Sequence, residues 1–210
     1  MIEKPRDVMS RVILNCTLLF LILLPAVGRA QNESVKVPDE VKPFIEKGMI
    51  PIALESGDLN ADGRKDHILV ISKIVPEGST YDEAGDASRP TLILVRDARG
   101  ALSVAARNDE VAMCKNCGGV FGDPFAGITI RGNRFSVSNY GGSSDRWSYD
   151  YTFAYSRRDR SWQLVRVEEN SFSAFSPKKQ HLKVYTPPRN FGLITFADFD
   201  PASFLGKGKK

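Results

Sequence analysis

The chain has 210 residues, of which 42% are hydrophobic, and a formal net charge of +4. The first 30 residues hold four basic and two acidic side chains, so the remaining 180 carry a charge of only +2. This length fits one domain with a sizeable core, and the nearly balanced charge argues against nucleic acid as a partner.

Residues 1–30 have the pattern of a secretory signal peptide. Arg6 and Arg11 flank the start of an apolar run at 12–24, and small residues lead to Ala30. The run is short for a membrane span, so we expect cleavage after Ala30 and a secreted or periplasmic protein without a stable span. An uncleaved membrane anchor is the alternative.

The segment 57–66, Gly-Asp-Leu-Asn-Ala-Asp-Gly-Arg-Lys-Asp, repeats oxygen-bearing side chains as D-x-N-x-D-G-x-x-D. Calcium takes six to eight oxygen ligands, and alternate carboxylates in a tight loop supply most of them. Gly63 would permit the turn. The predicted ligands are four side chains and the backbone carbonyl of Arg64: Asp58, Asn60, Asp62 and Asp66, with Arg64.

Two properties separate this loop from an EF-hand. An EF-hand needs Glu at its twelfth position, where this chain has Leu69. The flanks at 50–54 and 67–72 are rich in β-branched residues and predict strands rather than helices. The strand–loop–strand unit resembles the calcium loops of FG-GAP and VCBS-type repeats, including those of integrin α-subunit propellers. That resemblance implies bound Ca²⁺, whereas a metal-free Asp/Asn/Gly turn is the alternative.

Cys114 and Cys117 form a Cys-x-x-Cys pair that we expect to be disulfide-bonded after export. A thioredoxin-like redox site would place the pair at a helix N-terminus, but glycines follow it immediately. A zinc site would need two further ligands, and the chain offers only the distant His67 and His181.

The segment 126–168 predicts an antiparallel meander. Alternation over 147–155 places five aromatic side chains on one face and Ser148, Asp150, Thr152 and Ala154 on the other. The aromatic stripe indicates a buried sheet face, with a carbohydrate-stacking platform as the alternative.

Two motifs strengthen a second resemblance. Cys-x-x-Cys-Gly-Gly-Val-Phe-Gly-Asp-Pro-Phe at 114–125 and Tyr-Gly-Gly-Ser-x-x-Arg-Trp at 140–147 accompany the upstream acidic loop. The combination resembles a family of uncharacterised exported bacterial proteins. It implies a shared fold and a bacterial origin, and it brings no activity.

The complete pattern predicts a mainly β fold, with α+β as the alternative. We expect an antiparallel sheet or sandwich over 31–206, one short N-terminal helix within 37–48, and a basic tail at 207–210. The acidic loop occurs once, so a complete propeller is not expected.

The predicted function is an exported calcium-binding, β-rich binding or structural module. Its partner would be a protein or a glycan at the cell envelope, contacted at Tyr140, Asp145 and Arg146 on a glycine-rich loop. The alternatives are a cell-envelope hydrolase and a thiol-redox protein. No GxSxG or HExxH pattern occurs, and no catalytic residue is assigned.

Overall fold

A computed structural model describes residues 35–74 and 87–204, and these residues form nine strands. The strands are β1 (Met49–Gly57), β2 (Asp66–Lys73), β3 (Arg89–Arg96), β4 (Leu102–Ala112), β5 (Phe125–Arg131), β6 (Arg134–Gly142), β7 (Asp145–Ser156), β8 (Ser161–Ser173) and β9 (Gln180–Tyr185). The predicted signal peptide and basic tail lie outside the described residues. The helices of the described ranges are two 3₁₀ turns of three residues each, and neither could span a membrane.

The strands form two antiparallel sheets, in the orders β1-β2-β3-β4 and β5-β6-β7-β8-β9. This confirms the mainly β prediction, and the described strands form no propeller. The short N-terminal helix is a single 3₁₀ turn, Lys42–Phe44. Pro43 lies within this turn and has no N–H to donate, which favours a short turn over a longer helix.

The main core lies between the two sheets. In β7, alternate residues are buried, and Tyr151 and Phe153 have no exposed surface. The ring of Phe153 stacks on Phe135 of β6 at 5.3 Å between centroids. Ile68 and Ile93 of the four-stranded sheet belong to the same cluster. The aromatic stripe is therefore a core face, as its alternation predicted.

Both faces of the four-stranded sheet are covered at β2 and β3. One face contributes to the main core, and the other contributes Leu69, Ile71 and Leu94 to a second cluster with Val41. Burial on both faces explains why the sequence of β2 is continuously apolar rather than alternating.

The C-terminal segment completes the main core. The composition of residues 192–196, Gly-Leu-Ile-Thr-Phe, predicts a strand there, but none forms. It makes only an isolated bridge between Thr195 and Gln163. Phe196 and Phe199 are buried, and Asn108 Nδ2 donates to the backbone oxygens of both. The chain turns at this point, where the Asp198 N–H donates to the Thr195 carbonyl and the Phe199 N–H donates to the Phe196 carbonyl.

Candidate functional site

The acidic loop connects β1 to β2, and the Asp58 carboxylate closes its turn. Oδ1 of Asp58 accepts from the Asp62 N–H at 3.0 Å, and Oδ2 accepts from the Gly63 N–H at 2.9 Å. Gly63 has φ 83° and Ala61 has φ 58°, so the turn uses the left-handed region that glycine adopts without strain. The expected role of Gly63 in the turn agrees with this geometry.

Asp66 starts β2 and is completely buried. Its two oxygens accept from the backbone N–H groups of Leu59 and Arg96, at 3.0 and 2.9 Å. Burial raises the pKa of Asp66 above its ordinary value, the two N–H donors act in the opposite direction, and the carboxylates of Asp62 and Asp58 raise it further. Three negative charges therefore interact across this loop.

Asp62 is held mainly by its own loop. Its Oδ1 accepts from the Arg64 N–H at 2.9 Å, while Oδ2 lies 2.8 Å from Asn60 Nδ2 and 2.5 Å from Arg64 Nη2. Burial raises the pKa of Asp62, but the bonds from Arg64 and Asn60 outweigh it and leave the pKa below its usual value. Arg64 thus contributes its side chain to the loop, which sequence reasoning did not expect.

The chemistry of the donor set suits calcium. All the predicted side-chain ligands are oxygens, and each carboxylate keeps lone pairs beyond those that accept N–H groups. As the side chains lie, residues 35–74 and 87–204 bring no three His, Cys, Asp or Glu groups close enough to hold a metal. Arg64 binds one oxygen of Asp62, so an ion bound by that oxygen would displace this partly exposed ion pair, a type of contact that contributes about 0–1 kcal/mol.

The loop is also anchored to the opposite sheet. Leu59 is completely buried in the main core, and its carbonyl accepts from Trp162 Nε1 at 2.9 Å. The Ala61 carbonyl accepts from Arg157 Nη2 at 3.2 Å. Both donors belong to the β7–β8 region, so the conformation of the acidic loop is coupled to the packing of one sheet on the other.

Cys114 and Cys117 form the predicted disulfide, with Cα atoms 5.2 Å apart. The pair lies in a turn in which the Cys117 N–H donates to the Cys114 carbonyl. No helix begins here, so the helix N-terminus that activates a redox thiol is missing from this part of the described structure. The two sulfurs bond to each other rather than serving as zinc ligands.

The two glycine-rich segments meet beside the disulfide. The Gly142 N–H donates to the Gly118 carbonyl at 2.9 Å, and Gly119 forms a bridge with Gly142. A Cβ on Gly141 would lie 2.8 Å from the Gly118 oxygen, so this approach needs glycine. The contact brings the loop after the cysteines against the end of the β6–β7 hairpin.

The three residues predicted to bind a partner lie at this end of the hairpin, but all of them belong to strands. The glycine-rich segment 140–146 was expected to form an exposed loop. This prediction is wrong, because β6 continues to Gly142 and β7 begins at Asp145. Asp145 is exposed, whereas Tyr140 and Arg146 are half-buried. The cross-strand ladder extends this far because glycine residues there permit close backbone contact.

Arg146 joins the two segments through its side chain. Its guanidinium lies 3.8 Å from the centroid of the Phe121 ring, and Nη1 donates to the Tyr140 hydroxyl at 3.1 Å. Phe121 is 45% exposed and Val120 is 82% exposed. We call Val120, Phe121, Tyr140, Asp145 and Arg146 the rim. It presents apolar, aromatic and charged groups together.

Arg89 has a role that sequence reasoning missed. It is 2% exposed, and its Nη1 and Nη2 bind both oxygens of Asp123 at 2.6 and 2.7 Å. Nη1 also donates to the Met113 carbonyl at 3.0 Å. This bidentate pair ties β3 to the disulfide loop. Its partners are 34 positions apart, so no local pattern indicates it.

A second missed group surrounds His67. The Ser56 hydroxyl lies 2.8 Å from His67 Nδ1, and His67 Nε2 lies 3.7 Å from Glu40 Oε1. His67 is 2% exposed, and burial lowers its pKa below the ordinary value. A neutral histidine beside an exposed serine is the pairing that nucleophilic catalysis uses. The contact with Glu40 is, however, longer than a hydrogen bond.

No protein-family model matches the chain, and no curated protein shows significant similarity to it.

Proposed function

We propose that this protein is an exported, calcium-stabilised β-sandwich module that binds a protein or a glycan at the cell envelope. The single observation that supports the calcium role best is the position of the acidic loop. Its carboxylates follow β1 and begin β2, while Leu59 within it packs in the core and binds Trp162 of the other sheet. An ion in this loop would stabilise the contact between the sheets.

The loop also concentrates unfavourable charge that a cation would relieve. Burial raises the pKa of Asp66, and the charges of Asp62 and Asp58 raise it further. A bound divalent cation would reverse the sign of this interaction, because each carboxylate would then face a positive charge. The resemblance to FG-GAP and VCBS-type loops supports the same assignment.

Calcium titration of the purified protein tests this proposal. Sites in extracellular modules have dissociation constants of about 10⁻⁴–10⁻³ M, so 10 mM calcium should stabilise the native state by about 1.4–2.7 kcal/mol. For a domain of this size the melting temperature should rise by roughly 3–10 °C, measured by calorimetry against EDTA and magnesium. Asp62→Ala should abolish the rise.

Asp97→Ala is the matched control for this experiment. Asp97 caps the β3–β4 turn by accepting from the backbone N–H groups of Arg99 and Ala101, much as Asp58 does in the acidic loop. The control should lower the starting melting temperature and keep the calcium-induced rise. An unchanged wild-type melting temperature at 10 mM calcium would refute the calcium role.

The rim is the proposed contact surface for the partner. Its exposed apolar side chains, Val120 and Phe121, lie beside the arginine and tyrosine that interfaces favour. The Cys114–Cys117 disulfide and the Arg89–Asp123 pair hold the loop that carries them. A preorganised loop loses less conformational entropy on binding.

A cell-envelope hydrolase is the second candidate, and the contact between Ser56 and His67 favours it. Hydrolysis of p-nitrophenyl acetate that disappears in Ser56→Ala and not in Ser103→Ala would support this function. A thiol-redox role would instead require turnover in an insulin-reduction assay, which we do not expect of a disulfide outside a helix terminus.

A further inference from the structure

The outer face of the five-stranded sheet contains a groove of about 410 Å³. In β7, alternation places Tyr151 and Phe153 in the core, so Asp150 and Thr152 face the other side. The groove spans strands β5 to β8, and its lining consists almost entirely of polar side chains. These side chains are Thr129, Arg131, Arg134, Ser136, Ser138, Asp150, Thr152 and Glu168.

Hydroxyl groups form the floor of this groove. The strand register pairs Ser136 with Thr152, whose hydroxyls lie 2.8 Å apart, and pairs Ser138 with Asp150, to which Ser138 donates. A hydroxyl has one donor and two acceptor positions, so each can still bond to a ligand. The floor therefore offers donors and acceptors at strand spacing, which suits a ligand that carries many hydroxyls.

Carboxylates lie at the end of the groove that is farther from the β5–β6 turn, in register with Ser138. Asp150 and Glu168 are direct cross-strand neighbours in β7 and β8. Two like charges at such positions are unfavourable unless another group compensates them. Arg166 binds Glu168 at 2.5 Å, and Ser138 donates to Asp150. The remaining acceptor positions suit hydroxyl or amino groups of a ligand.

Positive charge is concentrated at one end. Arg131 and Arg134 face each other across the β5–β6 turn and are both exposed. Their backbones pair within the sheet, but within residues 35–74 and 87–204 neither guanidinium has an ion-pair or hydrogen-bond partner. Arg134 and Ser138 are four positions apart, which is about 13 Å along an extended strand. A ligand that uses both ends of the groove must be elongated and carry an anionic group.

We propose that this groove binds an acidic oligosaccharide, with its anionic group at Arg131 and Arg134 and its hydroxyls on the carboxylates and hydroxyls of the floor. The only apolar lining residue is Phe135, which is 1% exposed, so the groove lacks the apolar pockets that recognise peptide side chains. The groove shares no residue with the rim, so this inference goes beyond the binding role proposed above, and it does not require the calcium loop.

The test uses the full protein and an array of oligosaccharides of three to six sugars. The array includes neutral, amino, uronate, sulfated and phosphorylated members, and calorimetry then measures affinity for the strongest acidic one. We expect binding of acidic members in preference to neutral ones. The double variant Arg131→Gln/Arg134→Gln should weaken this binding by about tenfold or more, because charged hydrogen bonds are lost.

Three further variants make the result specific. Arg99→Gln removes an exposed arginine from the β3–β4 turn, and this variant should bind as the wild type does. Thr152→Val removes a floor hydroxyl and should weaken acidic and neutral members alike. Asp62→Ala should leave saccharide binding intact, so failure of the calcium proposal and failure of this one are distinguishable.

Several outcomes would overturn the proposal. Absence of binding across the array would do so, as would an affinity that the double arginine variant leaves unchanged. Equal competition by a hexaglutamate peptide would show a general preference for polyanions rather than recognition of a saccharide.

Discussion

Individual buried polar groups affect the stability of this protein. The hydroxyl of Tyr151 is buried and has no hydrogen-bond partner in the described part of the chain. Burial also raises the pKa of Tyr151, because a charged phenolate is disfavoured in the core. A buried hydroxyl without a partner loses its hydration on folding and gains nothing in return.

We therefore expect Tyr151→Phe to preserve stability or to increase the free energy of unfolding by about 1 kcal/mol. Urea denaturation of the two proteins measures the difference. Tyr185→Phe is the control, because the Tyr185 hydroxyl donates to Glu169 at 3.0 Å and its removal should be destabilising. A clear loss of stability in Tyr151→Phe would reveal a hydrogen bond to that hydroxyl.

His67 should make stability depend on pH. Burial first, and then the charges of Arg96 and Lys65, lower its pKa below 6.5, against the opposing effect of Glu40 and Asp66. As the pH falls below 6.5, the unfolded chain takes up a proton that the folded protein resists. The stability that is present above pH 6.5 is therefore lost on acidification, until the lowered pKa is passed.

We expect the free energy of unfolding to fall as the pH is lowered from 7.5 to 5.5. A difference of one pH unit between the pKa of His67 in the unfolded chain and in the folded protein corresponds to about 1.4 kcal/mol. His67→Gln should flatten this dependence, whereas His181→Gln, which replaces an exposed histidine, should retain it. Chemical denaturation at a series of pH values measures the slope. If the free energy of unfolding of His67→Gln depends on pH as strongly as that of the wild type, another group titrates between pH 7.5 and 5.5.

At the level of elements, the sequence predicted the hairpin turns. It did not predict where the disulfide loop lies in the fold. The compositions of 97–100, Asp-Ala-Arg-Gly, and of 131–134, Arg-Gly-Asn-Arg, predict tight turns, and strands flank both. The disulfide loop is instead positioned by Arg89 of β3, which binds Asp123 with two hydrogen bonds. That contact depends on how a distant strand passes the loop.

Asp123→Ala should lower the free energy of unfolding by about 2 kcal/mol, because it leaves a buried guanidinium without its partner. The value is below that of a fully buried pair because the Asp123 side chain is 45% exposed. Asp109→Ala breaks a surface pair with Arg107 and should cost under about 1 kcal/mol. Urea denaturation measures the free energy of unfolding of both variants. If the two variants lose the same amount, the buried Arg89–Asp123 pair contributes no more than the surface Arg107–Asp109 pair, and this prediction is wrong.

At the scale of the whole molecule, one core joins both sheets to the acidic loop. Leu59 comes from the loop, Ile68 and Ile93 from one sheet, and Tyr151 and Phe153 from the other. A core shared in this way couples the two sheets, so they should unfold together rather than as separate layers.

Leu59→Ala should therefore destabilise the entire domain by about 2–5 kcal/mol, the usual cost of a cavity in a packed core. Far-ultraviolet and near-ultraviolet circular dichroism should report a single coincident transition at a lower temperature. Leu193→Ala, at a residue that is 62% exposed, should change stability by no more than about 0.5 kcal/mol. Two separate transitions would show that the sheets are energetically independent.

The sequence alone determined the features that depend on near neighbours. Period-two alternation identified the buried face of β7, and turn residues located the hairpins. The close spacing of Cys114 and Cys117 predicted that they form a disulfide. The oxygen pattern of the acidic loop also follows from the sequence. Its calcium site remains a prediction.

Only the tertiary structure decided which distant residues meet. Leu59 binds Trp162 across 103 positions, and the glycines near 118 and 142 bring the rim together. The polar side chains of β5 to β8 form a groove only because four strands align in one register. Local patterns specify which face of a strand is apolar, but the stacking of sheets decides what each face contacts. The physical reason is that burial depends on the packing of the whole chain.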